Sequence, residues 1–317
     1  MSVSPRPNFF LVGTVKGGTT ALHRYLYAHP DIYVSPVKEV NYFSKDAIYP
    51  ELFAKDYQHD VAIDIDKYLS GERLQPVHIA HITDEATYQR LFDRVKNETA
   101  IGEMSLSYML YDGVAEKIKS YNSDAKIIMI LRNPSERAYS QYIMNLKQGK
   151  ILNDNFLEEI INDDSASPSG WGINHQYLYI GKYYKQVKNY LNVFPKNQVK
   201  IILYDDLVED AQAVMKELFR FLEVTEDIII DSNKKYNEGG MSRFSYLNYY
   251  LNQWGIIQSA KNILPYSWRA VLKKLFYTQN NIPKLSDTDR KWLNDYYRED
   301  IIALQNCIDR DLSAWLK

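Results

Sequence analysis

The stretch FFLVGTVKGGTTAL, Phe9–Leu22, decides how the chain is read. Phe9–Gly13 is an apolar run of the kind found in strands buried on both faces. A turn carrying Gly17 and Gly18 follows, and a helical pattern opens at Thr19. Strand, glycine turn and helix in that order leave backbone N–H groups aimed at one spot, with the positive end of the helix dipole behind them. That is an anion cradle. Its ATP- and GTP-binding form, G-x-x-x-x-G-K-[ST], places lysine directly after the second glycine. Counting from Gly13, that glycine is Gly18 and the next residue is Thr19; the loop's lysine, Lys16, comes earlier. Lys16, Gly17, Gly18, Thr19 and Thr20 are the anion-binding candidates, with the lysine moved forward.

The alternation continues along the chain. Ile32–Ser35, Ala100–Glu103, Lys126–Leu131 and Val199–Tyr204 read as further short buried strands. Between and after them lie helical patterns at Thr19–Ala28, Asp84–Val95, Gly113–Ser120, Pro134–Gln148, His175–Val193 and Val208–Leu222. This predicts an α/β, P-loop-like three-layer fold with a central parallel sheet of about five strands. Past Glu223 the patterns are helical only: Arg243–Trp254, Tyr266–Phe276 and Ser286–Asn306. The expectation is one domain over 1–317, with an α/β core at 1–224 and a helical C-terminal part at 225–317. Asp163–Gly172 reads as a turn-rich loop. The stretches 46–82 and 225–285 read as inserts that set acceptor specificity.

Composition narrows the function. A net charge of -2 argues against a general nucleic-acid binder, which is normally basic. The one cysteine, Cys307, cannot form an intramolecular disulfide, which fits a reducing compartment. Met1–Asn8 lacks the apolar core of a signal peptide, and no run of about 18 apolar residues occurs, so a cytoplasmic protein without a transmembrane segment is expected. The 27 tyrosines suit sugar or adenine contacts, or are ordinary half-buried aromatics.

A second motif runs from KIIMILR into NPSERAYSQY, Lys126–Tyr142. Asn133 is placed to cap the helix, Pro134 to fit its first turn, and Glu136 to complete a capping box. Arg132 then stands at the carboxyl end of a buried strand, where open α/β sheets bind ligands. Ser140 lies about two turns into the helix, and meets the same anion only if the helix folds back beside the strand end. An ATP-hydrolysing relative would end this strand with a magnesium-holding acid. A guanidinium there suits a second phosphate instead.

These residues resemble the sulfotransferases that use 3′-phosphoadenosine-5′-phosphosulfate (PAPS), closest to the heparan-sulfate-type and bacterial members. GTVKGGTTAL is similar to the family's 5′-phosphosulfate loop, lysine placement included, and ILRNPSERAYSQY to its 3′-phosphate motif. SPVKEVNYFS, Ser35–Ser44, resembles the segment in which the carbohydrate enzymes carry their general base. VKIILYDDLVED and the stretch Arg290–Leu316 resemble later family segments. The resemblance implies that Lys16 tracks the oxygen bridging phosphate and sulfate, without a metal. It implies that Arg132 and Ser140 hold the 3′-phosphate, that Tyr204 lies near the adenine and that Glu39 is the base. PAPS would be the donor; the acceptor would be a hydroxyl on a carbohydrate, lipid or small molecule.

Histidine is the rival base. His78 and His81 lie 62 and 65 residues after Lys16, a spacing comparable to that in the small-molecule branch. A histidine base should give a rising pH limb near its ordinary pKa of about 6.5, while a glutamate should leave kcat/KM flat above neutrality. One departure stands out: GEMSLSYM, Gly102–Met109, has Met104 where the heparan-sulfate enzymes carry lysine, which weakens the case for a heavily charged glycan. Lys234–Arg243 is a segment placed to close over the nucleotide. A kinase-like phosphotransferase is opposed by the displaced lysine and the missing acidic strand end. A non-catalytic nucleotide-binding module is opposed by Lys16 and Glu39 together.

Overall fold

The apolar runs become β1 (Phe9–Gly13), β2 (Ile32–Val34), β5 (Ala100–Met104), β6 (Lys126–Leu131) and β7 (Val199–Leu203). Together they form one parallel sheet in the order β2-β5-β1-β6-β7. Two three-residue strands, β3 (Val37–Glu39) and β4 (Val77–Ile79), pair with each other in parallel. The structure, a computed structural model, describes residues 5–53, 58, 61–165, 176–231, 241–242, 245–256, 277–278 and 283–317.

Side-chain alternation along the strands splits the core into two halves. Phe10, Val12, Ile127, Met129 and Leu131 face one layer, which holds Tyr183, Val187, Tyr297 and Ile301. Phe9, Leu11, Ile128 and Ile130 face the other, with Leu22, Leu26, Met215, Leu218 and Phe219. Both sheet faces are thus covered, giving the three layers expected. Each such side chain contributes roughly 1.5–3 kcal/mol by burial. The chain leaves β1 near the middle of the sheet and builds strands to either side, so the carboxyl ends of β1, β6 and β7 form one rim. Rims of that kind hold ligands in open α/β sheets.

Helix boundaries differ from the sequence reading in specific ways. The helix expected over His175–Val193 is divided into Tyr177–Ile180 and Tyr183–Val193. Gly181 separates them where a Cβ would come within 2.5 Å of the Tyr297 hydroxyl. Val208–Leu222 is likewise two helices, Tyr204–Glu209 and Ala211–Leu222. Asp210 divides them by accepting a hydrogen bond from Ala213 N at 2.9 Å, a start signal inside the expected helix. Tyr204 therefore opens a helix instead of ending β7. The Asp84–Val95 pattern shortens to Glu85–Arg90, capped by Asp84 on Thr87 N at 2.8 Å. A helix over Phe156–Ser165 takes up the start of the expected Asp163–Gly172 loop, whose remainder lies outside the described residues. Tyr266–Phe276 and most of Lys234–Arg243 also lie outside them.

The C-terminal helix, Asp287–Ile308, packs on the Pro134–Gln148 and Tyr183–Val193 helices. Ser135 Oγ donates to Asn294 Oδ1 at 2.8 Å, and Asp300 accepts from Tyr183 N at 2.8 Å. Leu293, Tyr297 and Ile301 thereby share a core with β6. Among the described residues no helix is long and apolar enough to cross a membrane.

Candidate active site

The Phe9–Leu22 loop folds as its glycines require. Gly18 caps the Thr19–Tyr27 helix in the left-handed region, at φ 101°, and no side chain caps the helix. Its first N–H groups are left for another partner. A Cβ on Gly18 would lie 2.7 Å from the Tyr204 ring, so the loop presses directly on that tyrosine. Lys16 itself takes a left-handed backbone, φ 61°, a conformation that costs a lysine about 1 kcal/mol or more.

Lys16 is surrounded by its own kind. Its Nζ lies 3.7 Å from Met144 Sδ, a weak acceptor. Burial, then the charges of Arg132, Lys147, Lys38 and Arg137, lower its pKa to about 8. No carboxylate is among these influences. A buried lysine lowered by neighbouring cations, with no carboxylate among those influences, favours an anion beside it.

Arg132 and Tyr204 meet at this rim. The Arg132 guanidinium lies 4.8 Å from the centre of the Tyr204 ring and donates to the Lys16 carbonyl at 3.4 Å. Tyr183 OH donates to the Arg132 carbonyl at 2.9 Å, which fixes the backbone below it. Asn133 Oδ1 accepts from Ser135 N at 2.9 Å, as a cap should. The Glu136 carboxylate, however, meets Arg132 at 3.7 Å and Arg290 at 2.6 Å, so its expected role in a capping box gives way to holding the arginine. Ser140 is half-buried on the Pro134–Gln148 helix, one turn before Met144 and two before Lys147. Residues at that spacing share one helix face. Met144 Sδ lies 3.7 Å from Lys16 Nζ, so this stripe of the helix passes beside the loop.

Glu39 ends β3 and is 1% exposed. Its Oε2 is buried and has no hydrogen-bond partner among the described residues. Burial pushes its pKa up to about 7, against the opposing pull of Lys38. Lys38 donates from Nζ to Thr20 Oγ1 at 3.1 Å, tying this strand to the phosphate-type loop. The Thr20 hydroxyl keeps its own hydrogen to donate outward, and Thr19 is buried.

The β3–β4 register places His78 opposite Lys38. His78 is an exposed residue whose pKa is lowered by desolvation, Lys38, Lys150 and His23. His81 is half-buried, stands edge-on to Phe53 at 6.2 Å, and has a lowered pKa from burial. Sequence reasoning missed Lys38, Lys147 and His23. His23 has a buried Nε2 without a partner among the described residues, and a pKa lowered to about 4 by burial, Lys38 and Arg24. The signal was available only in part: Lys147 stands seven residues after Ser140 on the same helical stripe, whereas Lys38 needed the β3–β4 pairing.

A family model described as "Sulfotransferase domain" matches residues 6–262. A sulfotransferase crystal structure from Alicyclobacillus acidocaldarius is 30% identical, with a TM-score of 0.72 over 99% of this chain and 100% of that one. The bifunctional heparan sulfate N-deacetylase/N-sulfotransferase of Drosophila melanogaster is 27% identical over 238 residues, 73% of this chain. Carbohydrate sulfotransferase 15 of Mus musculus is 25% identical over 247 residues, 68% of this chain. The chain spans 21% of the length of the first of these relatives and 43% of the second.

Proposed function

Since the chain belongs to the sulfotransferase family, we propose that it transfers a sulfuryl group from PAPS to an acceptor hydroxyl, on a carbohydrate or glycolipid. The observation that carries this reading is a buried Lys16 with Arg132 and Lys38 bonded to the same loop, at a helix N-terminus that no side chain caps. The residues fit a nucleotide with phosphates at two positions. The Gly17–Thr20 backbone and Lys16 would hold the 5′ side, Arg132 and Ser140 the 3′-phosphate, and the Tyr204 ring the adenine side. We take 1–224 as the α/β core and 225–317 as its helical part in one catalytic unit.

When bound, PAPS supplies the sulfuryl group, whose bond to the 5′-phosphate oxygen breaks as the acceptor oxygen bonds to sulfur. Glu39 takes the acceptor's hydroxyl proton, and the Lys16 ammonium faces the charge left on the phosphate oxygen. Such fixed charges are often the largest single contribution to catalysis.

Binding separates this reading from a kinase. The product nucleotide 3′-phosphoadenosine 5′-phosphate (PAP) should bind without magnesium and ATP weakly with or without it. Arg132→Ala and Ser140→Ala should weaken PAP but leave adenosine 5′-phosphosulfate, which lacks the 3′-phosphate, nearly unchanged. Each lost charge-assisted bond is worth roughly 1.5–3 kcal/mol. Equal losses for both ligands by calorimetry would show that these residues support the fold instead. A screen of labelled-sulfate transfer over sugars, glycolipids, phenols and alcohols then identifies the acceptor.

Lys16 adds a proton signature. Its pKa of about 8 is set in the nucleotide-free protein, chiefly by burial and neighbouring cations. An incoming phosphate raises it, so PAP binding should take up protons just above pH 8 and weaken as pH rises further. Calorimetry in buffers of different ionisation enthalpy reads this directly. Uptake at pH 9 that persists in Lys16→Ala would assign it to another group.

A further inference from the structure

Glu39 is followed by a turn that cannot hold its own shape. Asn41 sits in the left-handed region at φ 59°, which asparagine tolerates but a chain adopts only when its surroundings fix it. Ala80 N and Ile82 N hold the Glu39 and Val40 carbonyls at 2.9 and 3.2 Å, and three hydroxyls hold the turn's N–H groups and the Asn41 side chain. Ser105 Oγ accepts from Val40 N at 3.1 Å and Asn41 N at 3.0 Å, and Tyr108 OH accepts from Phe43 N at 3.2 Å. Ser107 Oγ donates to Asn41 Oδ1 at 2.6 Å.

Ser105 has spent both lone pairs on backbone donors, so its hydrogen must point elsewhere. It donates to Glu103 Oε2 at 2.7 Å. Tyr108 OH, already accepting from Phe43, donates to Glu103 Oε1 at 2.7 Å, and Tyr88 OH donates to the same oxygen at 3.0 Å. Three hydroxyl hydrogens converge on one side chain, which is 1% exposed at the end of β5. Only a group that accepts at both oxygens satisfies them all. A carboxylate does so; an amide would turn its NH₂ toward one hydroxyl and force that hydroxyl to give up a backbone donor. Burial raises the Glu103 pKa to about 7, and the three donated bonds oppose that rise.

We propose that Glu103 is a positioning residue for Glu39: through Ser105 and Tyr108 it fixes the Val40–Phe43 turn, and with it the base. Glu103 does not touch the reacting atoms. It sets the polarity of hydroxyls that hold the backbone directly after Glu39. This inference rests on the reading of Glu39 as base.

Glu103→Gln is the test, made in the full chain. Its kcat should fall roughly 10- to 100-fold, the cost of a misplacement of about 1 Å, with PAP affinity and the KM for PAPS little changed. In a Glu39→Gln background the same substitution should cost nothing further, because its effect runs through the base. Ser105→Ala should reproduce the loss and, combined with Glu103→Gln, add little to it. It carries the test if Glu103→Gln does not fold. Unchanged kcat in folded Glu103→Gln, or an equal further loss in both backgrounds, overturns the proposal while leaving Glu39 as base. Full activity in Glu39→Gln alone overturns the base and this inference together.

Discussion

Lys16→Ala should lower turnover by about 10²–10³ while changing PAP affinity far less. That is the scale for removing one fixed donor to a developing charge. Lys16 stands inside the loop instead of beside an outer phosphate, so its interaction belongs mainly to the transition state and appears in kcat. Ground-state binding retains the Gly17–Thr20 backbone, Arg132 and Lys38. The variant should also fold normally, because it removes a buried cation whose charge burial and neighbouring cations already disfavour. Single-turnover sulfate transfer checks the chemical step, and calorimetry with PAP the affinity. Wild-type turnover in the alanine variant would remove Lys16 from the mechanism; a parallel loss of affinity would make it a binding residue only.

The sheet was legible because its strands are buried on both faces and read as unbroken apolar runs, such as KIIMIL in β6. β3 and β4 were not, because Val37–Glu39 and Val77–Ile79 are three-residue segments with a polar centre whose pairing partner lies far along the chain. Local patterns carry no record of such a pairing. The split helices failed for a related reason. Gly181 is demanded by Tyr297, a residue far along the chain, whereas Asp210 was a cap written in the sequence and passed over.

The site divides the same way. The loop, Arg132 and Tyr204 belong to strand ends on one rim, so motif positions translated directly into neighbours. Glu39 was named from its segment, but its burial was not visible. Adjacent charges such as Lys38 and Glu39 carry no local sign of burial; in the fold Lys38 bridges to Thr20 and Glu39 is 1% exposed. Several tyrosines proved to be polar fasteners of the core. Tyr183, Tyr190 and Tyr297 are fully buried and each donates to a backbone carbonyl.

Burial of Glu39 raises its pKa into the range where a histidine limb is expected, so the pH profile alone does not separate the two bases. With its pKa near 7, a glutamate base gives a rising limb near neutrality, as an ordinary histidine would, so substitution separates the two. For Glu39, kcat/KM for PAPS should rise through about pH 7 and fall again near pH 8 as Lys16 loses its proton. Glu39→Gln should lower the chemical step at least about 10²-fold, since the amide keeps the shape but cannot take the proton. His78→Ala and His81→Ala should stay active. The same Glu39 substitution carries a second, opposite effect. The folded pKa of about 7 exceeds the ordinary 4.5, so the folded state holds a proton that the unfolded chain has released between those values. Stability therefore falls as pH rises through that window, and above pH 7 the ionised, buried carboxylate costs up to roughly 3 kcal/mol. The glutamine variant should lose activity and yet melt at a higher temperature at pH 8, with the difference vanishing below pH 4.5. A residue kept only for the fold would lose both together. Full activity in Glu39→Gln beside a folded, inactive His78→Ala would move the mechanism to histidine.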